Sequence, residues 1–155
     1  MKKKTNPGLK IICLNRKANF NYFFEDLIEA GIVLKGSEVK AIRDNKVAIE
    51  NAYAILKKNE IWIINLHVDT KKFDISFDIS DLTRPKKVLL NKKEISKISI
   101  KIKNNGYTIV PIDLHFNSKG FIKVLLGVSK GRKKQDLREY KKKQDWKRDK
   151  QKLGS

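Results

Sequence analysis

The segment YTIVPIDLHF-NSKG-FIKVLLGV, from Tyr107 to Val128, decides the fold. Its two apolar runs alternate in the way typical of β-strands. Between the runs lies Asn117-Ser118-Lys119-Gly120, a sequence rich in residue types that form tight turns. The segment therefore predicts an antiparallel β-hairpin.

Four shorter stretches also have strand-like patterns. They are Ile11–Leu14, the segment from Ile32 through Val33 and Val39 to Ile42, Tyr53–Leu56 and Ile61–Leu66. A turn is predicted at Lys57-Lys58-Asn59, between the last two stretches. Ile11–Leu14 predicts a buried strand, and the stretches from Ile32 onward predict a meander of antiparallel strands.

A first helix is predicted to start at Asn19 or Asn21, either of which can cap it, and to end at Gly31, which suits a left-handed C-terminal cap. Its apolar side chains recur at helical spacing on one face and are Phe20, Phe23, Phe24, Leu27 and Ile28. We expect these aromatic side chains to lie in the core. The alternative is a stacking platform on the surface.

A second helix is predicted from Asn91, which has Glu94 three residues further on, to Gly106. Its apolar positions are Ile95, Ile98 and Ile102, which would pack on the strands. Between the meander and this helix, residues 69–83 are polar with isolated apolar side chains and predict an irregular loop. The loop ends in a basic edge at Arg84–Lys87, followed by Val88-Leu89-Leu90.

Short strands with embedded helices predict a mainly β fold, an OB-like antiparallel β-barrel that is closed or partly closed, rather than a parallel α/β sheet. We expect a flexible basic arm at residues 1–10, the barrel domain at residues 11–129 and a basic C-terminal tail at residues 130–155. The tail carries 12 basic and 4 acidic residues. Wound as a helix, it would have no single apolar stripe, which predicts a tail that is disordered alone and helical on binding.

The whole chain carries 36 basic and 17 acidic residues, a net charge of +19. Such an excess indicates an anionic partner, and nucleic acid is the first candidate. The alternative is codon bias in an A/T-rich genome, since 30 of the basic residues are Lys. Codon bias would also raise the number of Asp and Glu residues, so it explains only part of the charge.

Little in the sequence indicates catalysis. The two histidines, His67 and His115, lie in strand-like runs, and Cys13 is the only cysteine. We find no phosphate-binding glycine motif, nucleophile elbow or zinc motif. The sequence also has no signal peptide and no apolar run long enough to span a membrane. We therefore expect a cytoplasmic, non-enzymatic RNA-binding protein without a cofactor or a metal ion.

In addition, the chain resembles the SmpB family, the SsrA-binding proteins of bacterial trans-translation. The stretches that carry the resemblance are NRKA at 15–18, YF at 22–23, EAGIVLKGSEVK at 29–40, AY at 52–53, RPKKVLLNKKE at 84–94, YTIVP at 107–111 and GVSKGRK at 127–133. They follow one another in order along nearly the whole chain.

The resemblance implies a function. The barrel would bind the tRNA-like domain of tmRNA (SsrA RNA), and the protein would deliver this RNA to stalled ribosomes for ribosome rescue and peptide tagging. The tail would read the vacant mRNA channel near the small-subunit decoding centre. Elongation factor Tu and alanyl-tRNA synthetase would be indirect partners through tmRNA. We expect a monomer with no membrane partner.

The resemblance also implies which residues bind RNA. The family's tmRNA contacts match Glu29, Leu89, Asn91 and Lys123, and Arg16, Lys17 and Tyr22 lie in motifs that would join this surface. Lys123 would contact phosphate directly. Each of the others has a structural alternative: Glu29 would orient a basic neighbour, Leu89 would be core, and Asn91 would only cap the helix.

The tail resembles the family's ribosome-binding signature, although Gln135 and Leu137 depart from it. Its candidate ribosome-binding residues are Lys130, Arg132, Lys133, Lys134, Asp136, Arg138, Tyr140 and Trp146. Two rival hypotheses remain. One is a structural ribosomal protein, and the other is a nucleic-acid enzyme with a metal centre at Asp74, Asp78 and Asp81.

Overall fold

The computed structural model describes residues 10–130, and the predictions for the basic arm and for the tail from residue 131 onward fall outside the described residues. The described part forms nine β-strands and three α-helices. In chain order these are β1 (Lys10–Leu14), α1 (Arg16–Asn21), β2 (Phe24–Ile32), α2 (Gly36–Arg43), β3 (Val47–Ala48), β4 (Tyr53–Lys57), β5 (Glu60–Ile64), β6 (His67–Val68), β7 (Lys86–Leu89), α3 (Lys92–Asn105), β8 (Tyr107–Phe116) and β9 (Ile122–Lys130).

Seven of the strands form one antiparallel sheet in the order β1-β8-β9-β2-β7-β5-β4, and β3 pairs with β6. The sheet curls so that β4 lies near β8, which makes a partly closed barrel. The interior is filled by buried aliphatic side chains, among them Ile42, Ile61, Ile63, Leu66, Val88, Ile98, Leu114, Val124 and Leu126. The predicted mainly β fold with embedded helices is therefore confirmed.

Both predicted hairpins are present. β8 and β9 pair along their length, from Phe116 opposite Ile122 at the turn to Tyr107 opposite Lys130. In the turn, the Asn117 side chain accepts hydrogen bonds from the amides of Lys119 and Phe121. β4 and β5 are joined by Lys58 and Asn59, whose φ angles of 51° and 61° suit a two-residue turn of the mirror-image type. Local turn chemistry sets both registers.

The first predicted helix is wrong over most of its length. Its only helical part is the end of α1, and the chain then continues as β2. β2 pairs with β9 from Phe24 to Gly31, so its backbone hydrogen bonds are made to a distant segment. Leu27 and Ile28 fit helical spacing but also place one apolar side chain on each face of a strand. Long-range pairing therefore overrides the local pattern.

The expected cap and core positions of this segment are also corrected. Asn15 caps α1 instead of Asn19 or Asn21: its side chain accepts from the Ala18 amide at 3.2 Å and donates to the Pro111 carbonyl at 3.0 Å. Phe20 and Phe23 are 54% and 61% exposed, so they do not form core. A buried asparagine that links α1 to β8 positions this helix.

The strand predicted from Ile32 to Ile42 is wrong beyond Ile32, because Gly36–Arg43 forms α2. The backbone amide of Lys35 donates to the Glu38 carboxylate at 2.7 Å, which satisfies one of the free donors at this helix start. The cap residue is a lysine, which is not among the side chains that normally start helices. The sequence pattern therefore contains no start signal.

The second predicted helix is confirmed as α3. The Asn91 side chain accepts from the Glu94 amide at 2.8 Å, Glu94 accepts from the Asn91 amide at 3.2 Å, and Gly106 ends the helix with a φ of 68°. Ile98 is buried against the sheet, as expected. The predicted irregular loop contains two short 3-10 turns, Lys71–Phe73 and Ile79–Thr83.

No helix within residues 10–130 has the length and apolar character needed to cross a lipid bilayer.

Candidate nucleic-acid interface

One row of side chains crosses four neighbouring strands. Leu89 on β7 pairs with Gly31 on β2, Gly31 with Lys123 on β9, and Lys123 with His115 on β8. Directly paired residues share a face of the sheet. Their chain neighbours Val88, Ala30, Val124 and Leu114 are buried in the core. Because successive side chains point to opposite faces, the row lies on the outer face of the barrel.

Gly31 brings Leu89 and Lys123 together. A Cβ atom at Gly31 would lie 3.3 Å from the Leu89 Cβ and 3.7 Å from the Lys123 Nζ. The lysine ammonium and the leucine side chain therefore meet over the glycine backbone. Leu89 is 53% exposed, so the alternative that it belongs to the core is wrong.

Glu29 lies on β2 two residues before Gly31 and therefore on the same outer face. Its partner on β9 is Leu125, but its carboxylate crosses this strand to reach β8, where its Oε2 lies 2.7 Å from Nε2 of His115. Nδ1 of His115 in turn lies 2.8 Å from Oδ1 of Asp113. One imidazole thus bridges two carboxylates from different strands.

The bridge favours the charged form of the histidine. His115 and Asp113 are 3% and 1% exposed. The hydrogen bond to Asp113 raises the pKa of His115 above its ordinary value, burial opposes it, and the hydrogen bond to Glu29 adds to the increase. Both ring nitrogens can donate only in the imidazolium form. The charged form is therefore the one that satisfies both carboxylates.

Lys123 lies on β9, the strand between Glu29 and His115. Within residues 10–130 the ammonium of Lys123 is not tied to any carboxylate, although Glu29 lies on the adjacent strand. Glu29 itself keeps 44% of its side chain exposed. The outer face therefore presents a cation, an accessible carboxylate edge and an apolar side chain within one small area.

Asn91 lies two residues beyond Leu89 and is the N-cap of α3. Its side-chain oxygen is occupied by the Glu94 amide, while its amide nitrogen can still donate to a ligand. The residue is exposed. Asn91 is thus a cap, as one alternative stated, and it also extends the row toward the start of α3.

Arg16, Lys17 and Tyr22 lie apart from this row. The two basic residues are exposed in the first turn of α1, and Tyr22 follows the helix and stacks on Phe24 with ring centroids 6.1 Å apart. Among the described residues α1 packs against β8, and no hydrogen bond or ion pair joins Arg16 or Lys17 to Glu29 or Lys123. These residues form a second basic patch.

A separate, buried ionic network joins α2 to the start of β7. Glu38 of α2 is 2% exposed and accepts from Arg84 Nε at 3.1 Å, while Lys86 Nζ lies 3.3 Å from the same carboxylate and donates to the Arg84 carbonyl at 2.7 Å. Burial raises the pKa of Glu38, but the hydrogen bonds from Arg84 and the Lys35 amide outweigh it and hold the pKa below the usual range. For Lys86, burial outweighs the attraction to Glu38 and lowers the pKa.

The acidic loop does not assemble into a metal centre. Asp74 accepts from the amide and hydroxyl of Ser76, Asp78 from those of Ser80, and Asp81 from the Asp78 amide. No group of three His, Cys, Asp or Glu side chains within residues 10–130 is placed to hold a metal ion. The three carboxylates are thus used in local turns, as carboxylates in loops commonly are.

The comparisons with known proteins agree with this geometry. The model of the family described as SmpB protein matches residues 12–154 of the chain. The chain belongs to the SmpB family. An SsrA-binding protein of Rickettsia bellii is 48% identical over 144 residues, covering 93% of this chain and 95% of the relative. One from Nitrobacter hamburgensis is 42% identical over 153 residues, covering 99% of this chain and 97% of the relative.

A solved structure also matches. It is described as "tmRNA-SmpB: a journey to the center of the bacterial ribosome", is 36% identical, covers 77% of this chain and 82% of that chain, and superimposes with a TM-score of 0.59. The resemblance read from the sequence is therefore confirmed, and so is the OB-like β fold.

In this SmpB chain two site residues have no clear signal in the sequence: His115, which belongs to the row, and Asp113 beside it. A strand-like run around a histidine is typical of a structural side chain. The available signal was spacing: Asp113 and His115 are two residues apart on one strand, so both face the outer side, directly beside Lys123 and Leu125 of β9. The contact with Glu29 needed the pairing of β2 with β9, which the predicted helix had hidden.

Proposed function

We propose that this protein binds the tRNA-like domain of tmRNA and delivers it to stalled ribosomes for trans-translation, and that it does so as an RNA-binding factor without catalytic activity. Its relatives are named SsrA-binding proteins, and the matching solved structure is described as tmRNA-SmpB at the bacterial ribosome; both support this assignment. A partner on the ribosome also supports the expected cytoplasmic location.

The observation that carries the proposal is the state of Lys123. Its ammonium lies on the outer face, without a carboxylate partner among the described residues, beside the exposed Leu89 and over the bare backbone of Gly31. A cation of this kind can replace a condensed counterion at an RNA phosphate. Leu89 offers apolar contact to a ribose or an unstacked base, and Glu29 can accept hydrogen bonds from ribose or base donors.

The remaining predicted contacts fit around this centre in the proposal. Asn91 would donate from its side-chain amide at the edge of the row. Arg16 and Lys17 would neutralise a second stretch of the RNA backbone, and Tyr22 would lie at the margin of that patch. Two separate basic surfaces suit a folded RNA, whose phosphates lie on several sides of its helices.

The tail would serve the ribosome. The sequence from residue 130 to 155 carries a net charge of +8, and the rest of the chain carries +11. In the proposal, Lys130, which ends β9, marks the exit from the barrel. The residues beyond it, Arg132, Lys133, Lys134, Asp136, Arg138, Tyr140 and Trp146, would contact the vacant mRNA channel and the decoding centre.

Substitution of Lys123 tests the RNA site. Lys123→Ala should weaken binding of the isolated tRNA-like domain about tenfold, the loss expected for one charge-assisted contact. It should also lower the log-log slope of affinity against salt by roughly one. The matched control is Lys57→Ala, which removes one exposed charge at the end of β4. Equal losses of affinity in the two variants would show that Lys123 contributes only general electrostatic attraction, and this would contradict a specific contact at the site.

Truncation tests the tail. A chain ending at Gly131 should keep its affinity for the tRNA-like domain at moderate salt and lose peptide tagging on stalled ribosomes in a reconstituted translation reaction. A truncated chain that no longer binds the tRNA-like domain would overturn this division of labour between barrel and tail.

A further inference from the structure

The Glu29–His115–Asp113 bridge lies beside Lys123, and its position affects which group the Glu29 carboxylate pairs with. Glu29 and Lys123 lie on adjacent strands and on the same face. Glu29 pairs with Leu125, two residues along β9 from Lys123, so the two charged residues are diagonal neighbours. A carboxylate and an ammonium so placed would normally pair. Instead the Glu29 carboxylate reaches across β9 to Nε2 of His115, at 2.7 Å. The histidine therefore competes with Lys123 for Glu29.

We propose that His115 is a positioning residue of the RNA site: it holds the Glu29 carboxylate over β9 and so leaves the Lys123 ammonium available for an RNA phosphate. This inference rests on the proposed function and deepens it, because it adds a residue that acts on the RNA through two others. His115 itself is buried, so in this proposal it acts on the RNA only through Glu29 and Lys123.

Deprotonation of His115 should release Glu29 and not Asp113. A neutral imidazole carries a single N–H and can donate to one of the two carboxylates. Asp113 is 1% exposed, and removing a donor from a buried carboxylate costs more than removing one from Glu29, which can turn into water. The remaining proton therefore stays on Nδ1. Freed Glu29 is then able to pair with Lys123 and to repel phosphate.

The result is an RNA site that responds to pH. The pKa of His115 is raised, so the imidazolium form that engages Glu29 is complete below the ordinary histidine range and is lost as the pH rises through the higher value. RNA affinity should fall in that same upper range. Phosphates near the site favour the imidazolium, so RNA binding should also take up protons.

Charged and titratable groups lie on the strands around His115, and β4, which also contacts β8, carries Tyr53 and Lys57. Asp113 lies on its own strand, Lys123 faces it from β9 and Glu29 from β2. From β1, Ile11 lies opposite and is apolar. Cys13 is further along β1, where burial raises the pKa of its thiol to about 11, so it stays neutral.

Two helices also contact β8. The exposed basic residues Arg16 and Lys17 belong to α1, and Lys101 of α3 is paired with Asp26 at 2.7 Å. Histidine is the side chain whose ordinary pKa lies near neutrality. His67 on β6 is the other histidine of the chain, so its substitution is the control for a pH step that arises at His115.

The experiment measures the affinity of the full chain for the tRNA-like domain at constant ionic strength between about pH 6 and about pH 9, a range that includes the histidine transition. The variants are His115→Gln, Glu29→Gln, the double variant, and His67→Gln as the matched control. Wild type and His67→Gln should bind about tenfold more weakly at the upper limit. His115→Gln should lack this step and bind weakly throughout.

The double variant separates positioning from a structural role. If His115 acts through Glu29, adding His115→Gln to Glu29→Gln should change affinity no further, and Glu29→Gln alone should abolish the pH step. Equal and additive losses in the two backgrounds, or a wild-type profile identical to that of His115→Gln, would overturn the inference. Failure of the wild type to bind at any pH would instead overturn the proposed function.

A spectroscopic measurement avoids any change at position 115. In the His67→Gln chain the remaining histidine gives a single set of imidazole nitrogen signals. Those signals should show imidazolium at the lower limit of the pH range above and a neutral ring with the proton on Nδ1 at the upper limit, and added RNA should raise the pKa of this conversion. A pKa below the ordinary histidine value, or a proton that stays on Nε2, contradicts the proposed positioning.

Discussion

Glu29 and Glu38 are two glutamates of one chain that receive hydrogen bonds from basic side chains, and their surroundings differ in one respect. Glu38 is 2% exposed, accepts from Arg84 and the Lys35 amide, and forms an ion pair with Lys86. The Glu29 side chain is 44% exposed and is held by His115. A carboxylate saturated with donors connects elements of the fold, whereas one held on a single side keeps an edge for a ligand.

The difference also follows from chain connectivity. Glu38 joins α2 to the start of β7, and β7 carries Leu89 into the row. Glu29 joins β2 to β8 across β9. The Glu38 network therefore positions β7 and with it Leu89 on the outer face. The Glu29 bridge sets the distribution of charge on that face.

The largest effect is expected in stability. Glu38→Gln leaves Lys86 and Arg84 without their counter-charge in a buried site, and loss of one partner of such a network costs about 3–5 kcal/mol. Glu29→Gln should lower the free energy of unfolding by about 1 kcal/mol or less, because the Gln amide oxygen can still accept from His115 and Asp113 keeps the histidine's other hydrogen bond. Urea denaturation of both variants checks this. A comparable loss in the two would contradict the distinction between the glutamates.

Glu60→Gln serves as the control for charge removal. Glu60 forms an exposed ion pair with Lys87, the lysine next to Lys86, and both side chains are more than one third exposed. Exposed pairs of this kind contribute about 0–1 kcal/mol. The control should therefore resemble Glu29→Gln in stability and not Glu38→Gln.

An intermediate effect is expected for Lys86→Met. The lysine is fully buried and burial lowers its pKa, so its charge is costly in the folded state. An apolar side chain of similar length removes this cost but leaves the Arg84 carbonyl without its donor. Glu38 keeps Arg84 and the Lys35 amide. We expect a loss of about 1 kcal/mol or less in the free energy of unfolding, measured by urea denaturation.

If Lys86→Met instead destabilises the protein as much as Glu38→Gln, then Lys86 and not Arg84 is the main partner of the carboxylate. The two outcomes are distinguishable because the expected losses differ several-fold.

Acid should act on the same network. The pKa of Glu38 is held below its ordinary value of 4.5, so its contribution to stability is complete above that pH and is lost as the pH falls through the lower folded value. The free energy of unfolding of the wild type should decrease in this acidic range, and the decrease should be smaller in Glu38→Gln. Parallel curves for the two proteins would show that Glu38 is not a source of the acid sensitivity.

The sequence could predict those parts of the fold whose signals are local. The hairpin between β8 and β9 has its turn residues within the loop, and α3 has both its cap and its stop within its own length. β2 and α2 were predicted wrongly because their determinants are distant: β2 is defined by pairing with β9, and α2 starts with a glutamate held by Arg84.

The candidate site divides in the same way. Lys123, Glu29 and Leu89 were predicted through family resemblance, which transfers positions without explaining them. Two contacts depend instead on the register between strands far apart in the chain. One is the meeting of Leu89 and Lys123 over Gly31, and the other is the hydrogen bond between His115 and Glu29. Such register is set by the pairing of whole strands and has no signal in a short window.

A small effect on stability, and a larger one on RNA affinity, is expected for Gly31→Ala, which bears on the outer face alone. A Cβ atom there would lie 3.3 Å from the Leu89 Cβ and 3.7 Å from the Lys123 Nζ, so these side chains must move by a few tenths of an ångström. Because Leu89 is more than half exposed and the lysine is flexible, the cost in unfolding free energy should stay below about 1 kcal/mol. Affinity for the tRNA-like domain should fall more than stability does, because the methyl group separates the ammonium from the apolar contact beside it.

Gly36→Ala is the matched control, since a Cβ at Gly36 has no atom within 4 Å. If both variants bind RNA equally well, the close approach over Gly31 is a feature of packing and not of the RNA site.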